Sequence, residues 1–366
     1  MSLQIVSQTI TDQSGLDALG DDWQHLFQRR GTTPFHDPRL IIAWWHARGS
    51  SQGRRLHVVA IRMDSKLVGV APLSVMHRTG VRFLRWAGDE IYDYCDALLE
   101  DAAFAPALWQ AAAHSRGFDI ALIKNVRPWS DTYSELKALG RPVRRREIAR
   151  LRIQWSSSTE WERAALSGKS LKRFRYLERR LTLRAPLEFE VMVQPDDPRL
   201  GPAVDALIQQ KSTWVAMRGK SEGLFVEPRA GAAVLLDIVH RAAQSGTLHL
   251  SSLRCGQSVL ATHLGFTFGD TFYYYMPSYN HEWSAFSPGK LLMHKLIGWA
   301  VNNGFQCCDF MSGEADYKSV LANEHCQLLD FTFAGSAAGH ILEPVLAHGY
   351  FRFPSLGHDE KRGRRQ

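Results

Sequence analysis

The chain has 366 residues, 45% of them hydrophobic and 22% charged, with a formal net charge of +7. By composition it is an ordinary soluble protein, able to bury a real core and suited by length to two domains. No stretch nears the roughly 18 apolar residues of a membrane span, and the start lacks a cationic and apolar leader, so a cytoplasmic protein is expected.

The charge is concentrated. Between Arg141 and Arg184 there are 14 Lys and Arg against 4 Asp and Glu, a local balance of +10 that leaves the remainder at −3. One basic block supplies the whole excess, which points to a local anionic partner rather than a generally cationic surface. Cys95, Cys255, Cys307, Cys308 and Cys326 form an odd, scattered set, the pattern of reduced thiols rather than of a disulfide framework. Cys307 and Cys308 are neighbours in a predicted strand, so they point to opposite faces and are poor partners for one metal. The histidines show no HExxH or Cys/His spacing, and no catalytic metal is predicted.

In chain order, a first strand precedes a helix near Leu16 to Gln28. A second helix is entered through "HDP", with Asp37 as N-cap and Pro38 at the first helical position. The alternating run "LHVVAIRMDSKLVGVAPLSV" from Leu56 predicts a β-hairpin. The strand "VRFLRWAG", a helix over Phe104 to Ser115, a strand from Phe118 to Ile123, and a last helix and strand reaching Gln154 complete the first half. In "GKSLKRFRYLERRL", Lys169, Lys172, Arg173, Tyr176, Arg179 and Arg180 recur at helical spacing as one cationic face, while Leu171, Phe174, Leu177 and Leu181 supply apolar contacts. "SGKS" at Ser167 is no phosphate-binding P-loop, because Arg163 stands where its first glycine would be and no strand leads in. The strand "LEFEVMV" follows, with helices near Pro202 to Met217 and Glu227 to Gln244. A second hairpin, "LHLSSLRCGQSVLATHLGFTF" from Leu248, precedes the strand "TFYYYMP" and the helix after Ser287. A strand from Phe305 to Phe310, a short helix near Tyr317 and the strand "QLLDFTFA" close the second half. A polar, basic tail is set at 341–366, and its end, "SLGHDEKRGRRQ", is expected to be disordered.

The two hairpins superimpose without a gap at an offset of 192, matching Ile61 with Leu253 and Arg62 with Arg254. "GFDIALI" from Gly117 and "GFQCCDF" from Gly304 match at an offset of 187. The order β-α-α-β-β-β-α-β-α-β is thus used twice, which predicts an α/β fold (an α+β mixed sheet flanked by helices) in two domains, 1–154 and 155–340.

That order resembles the GNAT acyltransferase fold. "TPFHDPRLIIAWW", "LVGVAPLSV", "YDYCDALL", "FSPGKLLMHKLIGWAVNNGFQCCDFMSGEADYKS" and the Arg/Lys-rich helix are similar to the CelD-type branch of that superfamily, annotated for cellulose biosynthesis. The two-module layout also resembles the Fem-type peptidoglycan aminoacyltransferases. The resemblance covers about residues 30 to 335 and implies acyl transfer from a thioester to an amine or hydroxyl without a covalent enzyme intermediate.

In "FSPGKLLMHKLIGWA", Ser287 is the expected N-cap, Pro288 opens the helix, and Gly289 lets a ligand approach the backbone. Free N–H groups and the helix dipole favour a phosphate there, with Lys290 adding charge and Leu291 completing the first turn. Such a site suits the pyrophosphate of coenzyme A, so acyl-CoA is the expected co-substrate. The usual GNAT loop is richer in glycine and begins with Gln or Arg, a departure in this chain. The corresponding first-half segment, "GDEIYDYCDALLEDA", has Asp89, Glu90, Asp93, Asp96, Glu100 and Asp101 and no basic residue, which predicts repulsion of a polyphosphate. Those acids read as a solvated loop or as contacts to a cationic acceptor.

As the resemblance implies, "TFYYYMP" pairs with the pantetheine arm and polarises the thioester carbonyl through a backbone N–H. Alternation puts Tyr273 and Tyr275 on one face. Tyr273 is assigned to the co-substrate and Tyr275 to protonating the leaving thiolate, with packing aromatics as the alternative. His263, beside the small Ala261 and Gly265, is the expected base, with a hydrogen-bonded core histidine as the alternative. "DFMSGEADYKS" gathers Asp309, Glu314, Tyr317 and Lys318 at one strand end. Glu314 is read as base or acceptor clamp, Asp309 as a catalytic carboxylate that needs a buried partner, and Tyr317 and Lys318 as acceptor contacts. Lys172, Arg173 and Tyr176 are assigned to an anionic or phosphorylated acceptor, with a solvated helix face as the alternative.

These residues read together as an acyl-CoA-dependent N- or O-acyltransferase acting on a sugar, amino sugar or other small polar acceptor of envelope or exopolysaccharide metabolism. One alternative is Fem-like transfer from aminoacyl-tRNA to a cell-wall precursor, the one reading that involves nucleic acid. The other is a non-catalytic module that binds an anionic polymer through the basic face.

Overall fold

A computed structural model of the chain describes residues 4–50, 53–219, 225, 227–312 and 316–347. It forms two units, one of Met1–Glu147 with Gln327–Gln366 and one of Ile148–Cys326. In the first, β1 (Ile5–Ile10) leads into α1 (Gln13–Arg30), and the Asp12 carboxylate accepts from the Gly15 N–H at 2.8 Å as its cap. Next, α2 (Pro38–Trp44) starts as expected, with the Arg39 N–H donating to Asp37 at 2.9 Å and Pro38 in the first turn. Then come β2 (Arg55–Leu56), β3 (Val58–Met63), β4 (Lys66–Ala71), β5 (Leu73–Arg78), β6 (Val81–Trp86) and β7 (Leu98–Leu99). After them run α3 (Ala105–His114), β8 (Ile120–Val126), α4 (Tyr133–Leu139) and β9 (Arg141–Arg152). One sheet has the order β1-β3-β4-β7, and another contains β8-β6-β5-β2.

In the second unit, α5 (Ser158–Ala165) and α6 (Gly168–Thr182) precede β10 (Leu187–Met192), α7 (Leu200–Met217) and α8 (Pro228–Gln244). The sheet continues with β11 (Leu248–Cys255), β12 (Ser258–Phe268) and β13 (Thr271–Tyr279), followed by α9 (Pro288–Asn302), β14 (Cys307–Asp309) and α10 (Asp316–Leu321). Its strand order is β10-β11-β12-β13-β14-β9. The chain then returns to the first unit through β15 (Glu324–Ala334) and α11 (Ala337–Ala347).

The internal repeat extends to an irregularity of the backbone. In the β3–β4 hairpin the register shifts between Ile61 and Arg62, and in β11–β12 it shifts between Leu253 and Arg254, the residues matched by the offset of 192. Each is a bulge that bends its hairpin at the same place. The repeats then diverge at Pro72. β12 is continuous through the equivalent position, whereas Pro72, lacking an N–H, ends β4 and lets Leu73 start β5 in the other sheet.

The domain boundary expected at 154 differs from the observed division. The last strand of each half joins the other unit's sheet: Arg150–Arg152 of β9 pair with Cys307–Asp309, while β15 pairs with β8, Ala334 opposite Ile120. The polar tail set at 341 starts too early, because α11 runs through the apolar "AAGHILEPVLA" and Leu342 packs near Phe83 and Ile120, while the stretch expected to be disordered lies outside the described residues. Residues 348–366 lie outside the described part.

In the second unit α9 buries Leu291, Leu292, Leu296, Ile297 and Ala300 against Leu260, Phe272, Tyr274 and Cys308. Each fully buried aliphatic side chain contributes about 1.5–3 kcal/mol, so this stripe fixes the helix and with it the place of its N-terminus. All five cysteines are free thiols. No described helix is long and apolar enough to cross a membrane.

Candidate active site

β13 and β14 run parallel and are paired only at Thr271↔Cys307, Phe272↔Cys308 and Tyr273↔Asp309. Beyond that point they part: β13 goes on to Tyr279, while the chain after Asp309 turns through Met311, whose φ of 59° is left-handed. A bulge lies beside the fork. Leu264 faces Met276 and Phe266 faces Tyr273, so Tyr274 and Tyr275 stand opposite the single Gly265. A Cβ on Gly265 would lie 2.5 Å from the Tyr273 carbonyl oxygen and 2.3 Å from the His263 ring, so only glycine fits the bulge. Tyr274 is buried against His263, whereas Tyr275 is half-buried, its ring 5.5 Å from that of Phe266.

Beyond Tyr279 the chain reaches the mouth of α9. Ser287 occupies the cap position, but with φ 50° and ψ 50° its side chain makes no cap bond. The sequence-based cap is corrected there: the left-handed backbone aims the hydroxyl away from the first-turn amides. The Ser287 carbonyl accepts from Lys290 at 3.0 Å and from Leu291 at 3.1 Å, so those two amides are satisfied internally. Pro288 has no N–H, and the Gly289 N–H has no acceptor among the described residues. Gly289 is half-buried beside the Tyr279 ring and Lys290 is exposed.

α6 brings cations to that mouth. The Arg180 guanidinium lies 5.1 Å from the Phe286 ring, and Arg184 lies 4.9 Å from Phe286 and 5.8 Å from Trp283. Leu177 and Leu181 anchor the helix in the core, Phe174 stacks on His294 at 4.5 Å, and Glu178 pairs with Lys295 at 2.6 Å. Lys172, Arg173 and Tyr176 are exposed on the outer face, as the periodicity predicts. Lys169, Lys172, Arg173, Arg175, Arg179, Arg180 and Arg184 form no ion pair among the described residues.

His263 is completely buried within an aromatic cluster, stacked on Tyr274 at 4.7 Å and 5.6 Å from Phe272, with His249 at 6.0 Å. Neither of its ring nitrogens has a hydrogen-bond partner among the described residues. Burial, then His249 and Lys211, hold its pKa well below the ordinary value, and burial pushes His249 down to about 3. Both are neutral core imidazoles: the place of His263 fits the alternative of a core histidine rather than the expected base, and the hydrogen bond that alternative supposed has no partner among the described residues.

Asp309 has the buried partner the sequence requires: Arg150 lies 3.6 Å away and also reaches Glu324 at 3.2 Å. Asp309 further accepts from the Met311 N–H at 2.9 Å, which stabilises the left-handed turn. Lys318 Nζ donates to the Ser312 carbonyl at 3.1 Å and is half-buried at the same strand end. Tyr317 lies in α10, and Glu314 falls outside the described residues. Sequence reasoning missed Lys211 on α7, a half-buried lysine among helix-surface polar residues, which burial and then Lys318 lower to about 8.

The first unit has the corresponding fork. β6 and β8 pair in parallel from Phe83↔Ile120 to Arg85↔Leu122. Next to it the "GDE" acids are neither solvated nor unopposed. Asp89 accepts from Arg85 at 2.6 Å and lies 3.5 Å from Lys124 and 3.4 Å from Arg54, while Arg54 reaches Glu90 at 2.9 Å. Burial alone raises the Asp89 pKa, but Arg85, Lys124 and Arg54 outweigh it and hold the carboxylate ionised. Asp96 pairs with Arg127. The predicted repulsion of phosphate is therefore corrected: internal cations, Arg85 close by and Arg54, Lys124 and Arg127 remote in sequence, neutralise Asp89, Glu90 and Asp96.

Residues 168–319 match the sequence profile of the acetyltransferase (GNAT) domain family. The crystal structure of FemX superimposes with a TM-score of 0.61 at 11% identity, covering 93% of this chain and 100% of that one. The "C-terminal Domain (DUF2156) of Putative Lysylphosphatidylglycerol Synthetase from Agrobacterium fabrum" gives 0.55 at 11% identity, over 90% of this chain and 96% of that one. At such identity the likeness is one of fold. No curated protein matches the sequence. The parallel fork, the bulge beside it and the matched profile agree: residues 168–319 carry a GNAT-type acyltransferase fold.

Proposed function

We propose that the chain is an acyl-CoA-dependent N- or O-acyltransferase acting on a small polar acceptor such as a sugar or amino sugar. The observation that carries this reading is the fork itself, where β13 leaves β14 after Tyr273↔Asp309 and runs on to Tyr279 beside the mouth of α9. A thioester laid along β13 would meet backbone amides, and its diphosphate would meet the Gly289 N–H, Lys290, Arg180 and Arg184. Transfer requires the acceptor nitrogen or oxygen to attack the carbonyl carbon, the C–S bond to break, and the thiolate to gain a proton as the acceptor loses one. Tyr275, the half-buried tyrosine at the bulge, is the proposed proton donor to the thiolate. The wording shared with the CelD-type branch supports an acceptor of envelope or exopolysaccharide metabolism.

Calorimetric titration with acetyl-CoA, longer acyl-CoAs and free CoA tests the reading. A Cβ at position 289 meets only the Tyr279 ring, at 3.5 Å. Gly289→Ala should therefore bind like the parent, and Gly289→Trp should lose at least tenfold in affinity. No heat with any of these ligands overturns the proposal.

Fem-like transfer from aminoacyl-tRNA has one observation on its side, the row of cations on α6 without ion partners among the described residues. That helix of 15 residues is about 22 Å long, more than a single nucleotide covers. Release of amino acid from charged tRNA, dependent on a muropeptide precursor and without affinity for acyl-CoA, would make it the better reading.

A further inference from the structure

Lys211 is half-buried, and no oxygen of the described residues accepts from its ammonium. Its Nζ lies instead 5.7 Å from the Trp214 ring and 5.9 Å from the Phe225 ring. Withdrawing an ammonium from water without an anion beside it is costly, and among the described residues these two rings offset only part of that cost.

Its neighbour fixes where it lies. Gln210 donates to the Val259 carbonyl at 3.3 Å and accepts from Ser278 Oγ at 2.7 Å. Ser278 belongs to the stretch of β13 that continues past its pairing with β14. α7 is therefore pinned to that stretch, and Lys211 is carried along beside it. Lys318 on α10, held by the Ser312 carbonyl, is close enough to repel it. The other titratable group coupled to Lys211 is the neutral His263 on β12.

We propose that Lys211 is an anion-binding group of the second unit, holding a carboxylate or phosphate carried by the acceptor next to the strand fork. The inference rests on the acyl-transfer reading only in assigning the anion to the acceptor. Lys211 is uncommon among surface lysines in needing this partner: burial and Lys318 bring it down to about 8, so it is mostly charged at neutral pH and loses its hold as pH rises through that value.

The test is the titration of the full chain labelled with ¹³C in its lysine side chains, the Lys211 resonance being assigned by its disappearance in Lys211→Gln. Without added anion the midpoint should fall near 8. Inorganic phosphate or acetate should raise it by about one pH unit or more. A response to phosphate alone supports a phosphorylated acceptor, and one to acetate alone supports a carboxylated acceptor. A midpoint unmoved by either anion, or an ordinary lysine titration, overturns the inference. Lys211→Arg, which keeps the charge, should retain phosphate binding where Lys211→Gln loses it. Because the resonance reports binding rather than turnover, acyl transfer without an anion response sinks this inference alone. An anion response in a protein that binds no thioester sinks the transferase reading instead.

Discussion

Tyr273 faces Asp309 across the last rung of a parallel ladder, and past that rung the two strands go separate ways. The rung is held from both sides, since Asp309 is tied to Arg150 and to the Met311 turn and Tyr273 is buried. Asp309→Ala should therefore destabilise the second unit by about 1–3 kcal/mol, since the Met311 N–H loses its acceptor while Arg150 keeps Glu324. Asp309→Asn, which can still accept from the Met311 N–H, should cost less. Urea unfolding curves of the two variants decide it, and equal midpoints for both and the parent would contradict this role.

Gly265 sits where the bulge leaves no room for a side chain. Gly265→Ala should cost about 1–3 kcal/mol through overpacking, and Gly265→Val more. Gly269, with open space around it but φ +56°, should lose only the smaller backbone term on change to alanine. Thermal melts of the three variants give the order.

Neutral buried histidines make stability depend on acidity. The folded pKa lies near 3 for His249 and for His36, and below the usual range for His263, against about 6.5 in the unfolded chain. The unfolded chain then binds more protons below pH 6.5, so stability is fully present above that value and falls as pH drops through it, by about 1.4 kcal/mol per pH unit for each histidine. His249→Phe and His263→Phe should flatten this slope. His263→Phe should also leave acyl transfer intact, since the ring has no hydrogen bond to lose among the described residues; its abolition in a folded variant would restore the histidine as base.

Asp89 is the shared counter-ion of Arg54, Arg85 and Lys124. Asp89→Asn should take away the counter-ion that Arg85 and Lys124 share, leaving Arg54 with Glu90, and destabilise the first unit by about 3–5 kcal/mol. Calorimetric unfolding should show the loss in that unit, without a change in coenzyme A affinity.

Much of this architecture is legible in the chain. The hairpins announce themselves by alternation, and the ungapped match of Ile61 with Leu253 already contained the repeated bulge, because equal spacing implies equal register. The α6 face, the Asp37 cap and the demand of Asp309 for a partner could be read for the same reason: their signals are local. What failed is non-local. Of the three cations around Asp89, Arg85 stands just four residues before it, but Arg54 and Lys124 stand 35 residues before and 35 after, so "GDEIYDY" itself shows only acid. Strand exchange leaves no mark in composition, since β9 and β15 would suit either sheet edge. Lys211 looks like any surface lysine of a helix until Ser278, 67 residues later, draws α7 against β13.

The route of β15 bears on how the molecule is made. Residues 148–326 are inserted between Met1–Glu147 and Gln327–Gln366, and β8, paired with β6 on one side, finds its neighbour on the other side in Leu329–Ala334. As the nascent polypeptide leaves the ribosome, the half that emerges first must wait for the half that emerges second. The later half can mature earlier, and a transcript truncated near codon 150 would deliver an amino-terminal product with a bare sheet edge, a natural target for aggregation or proteolysis.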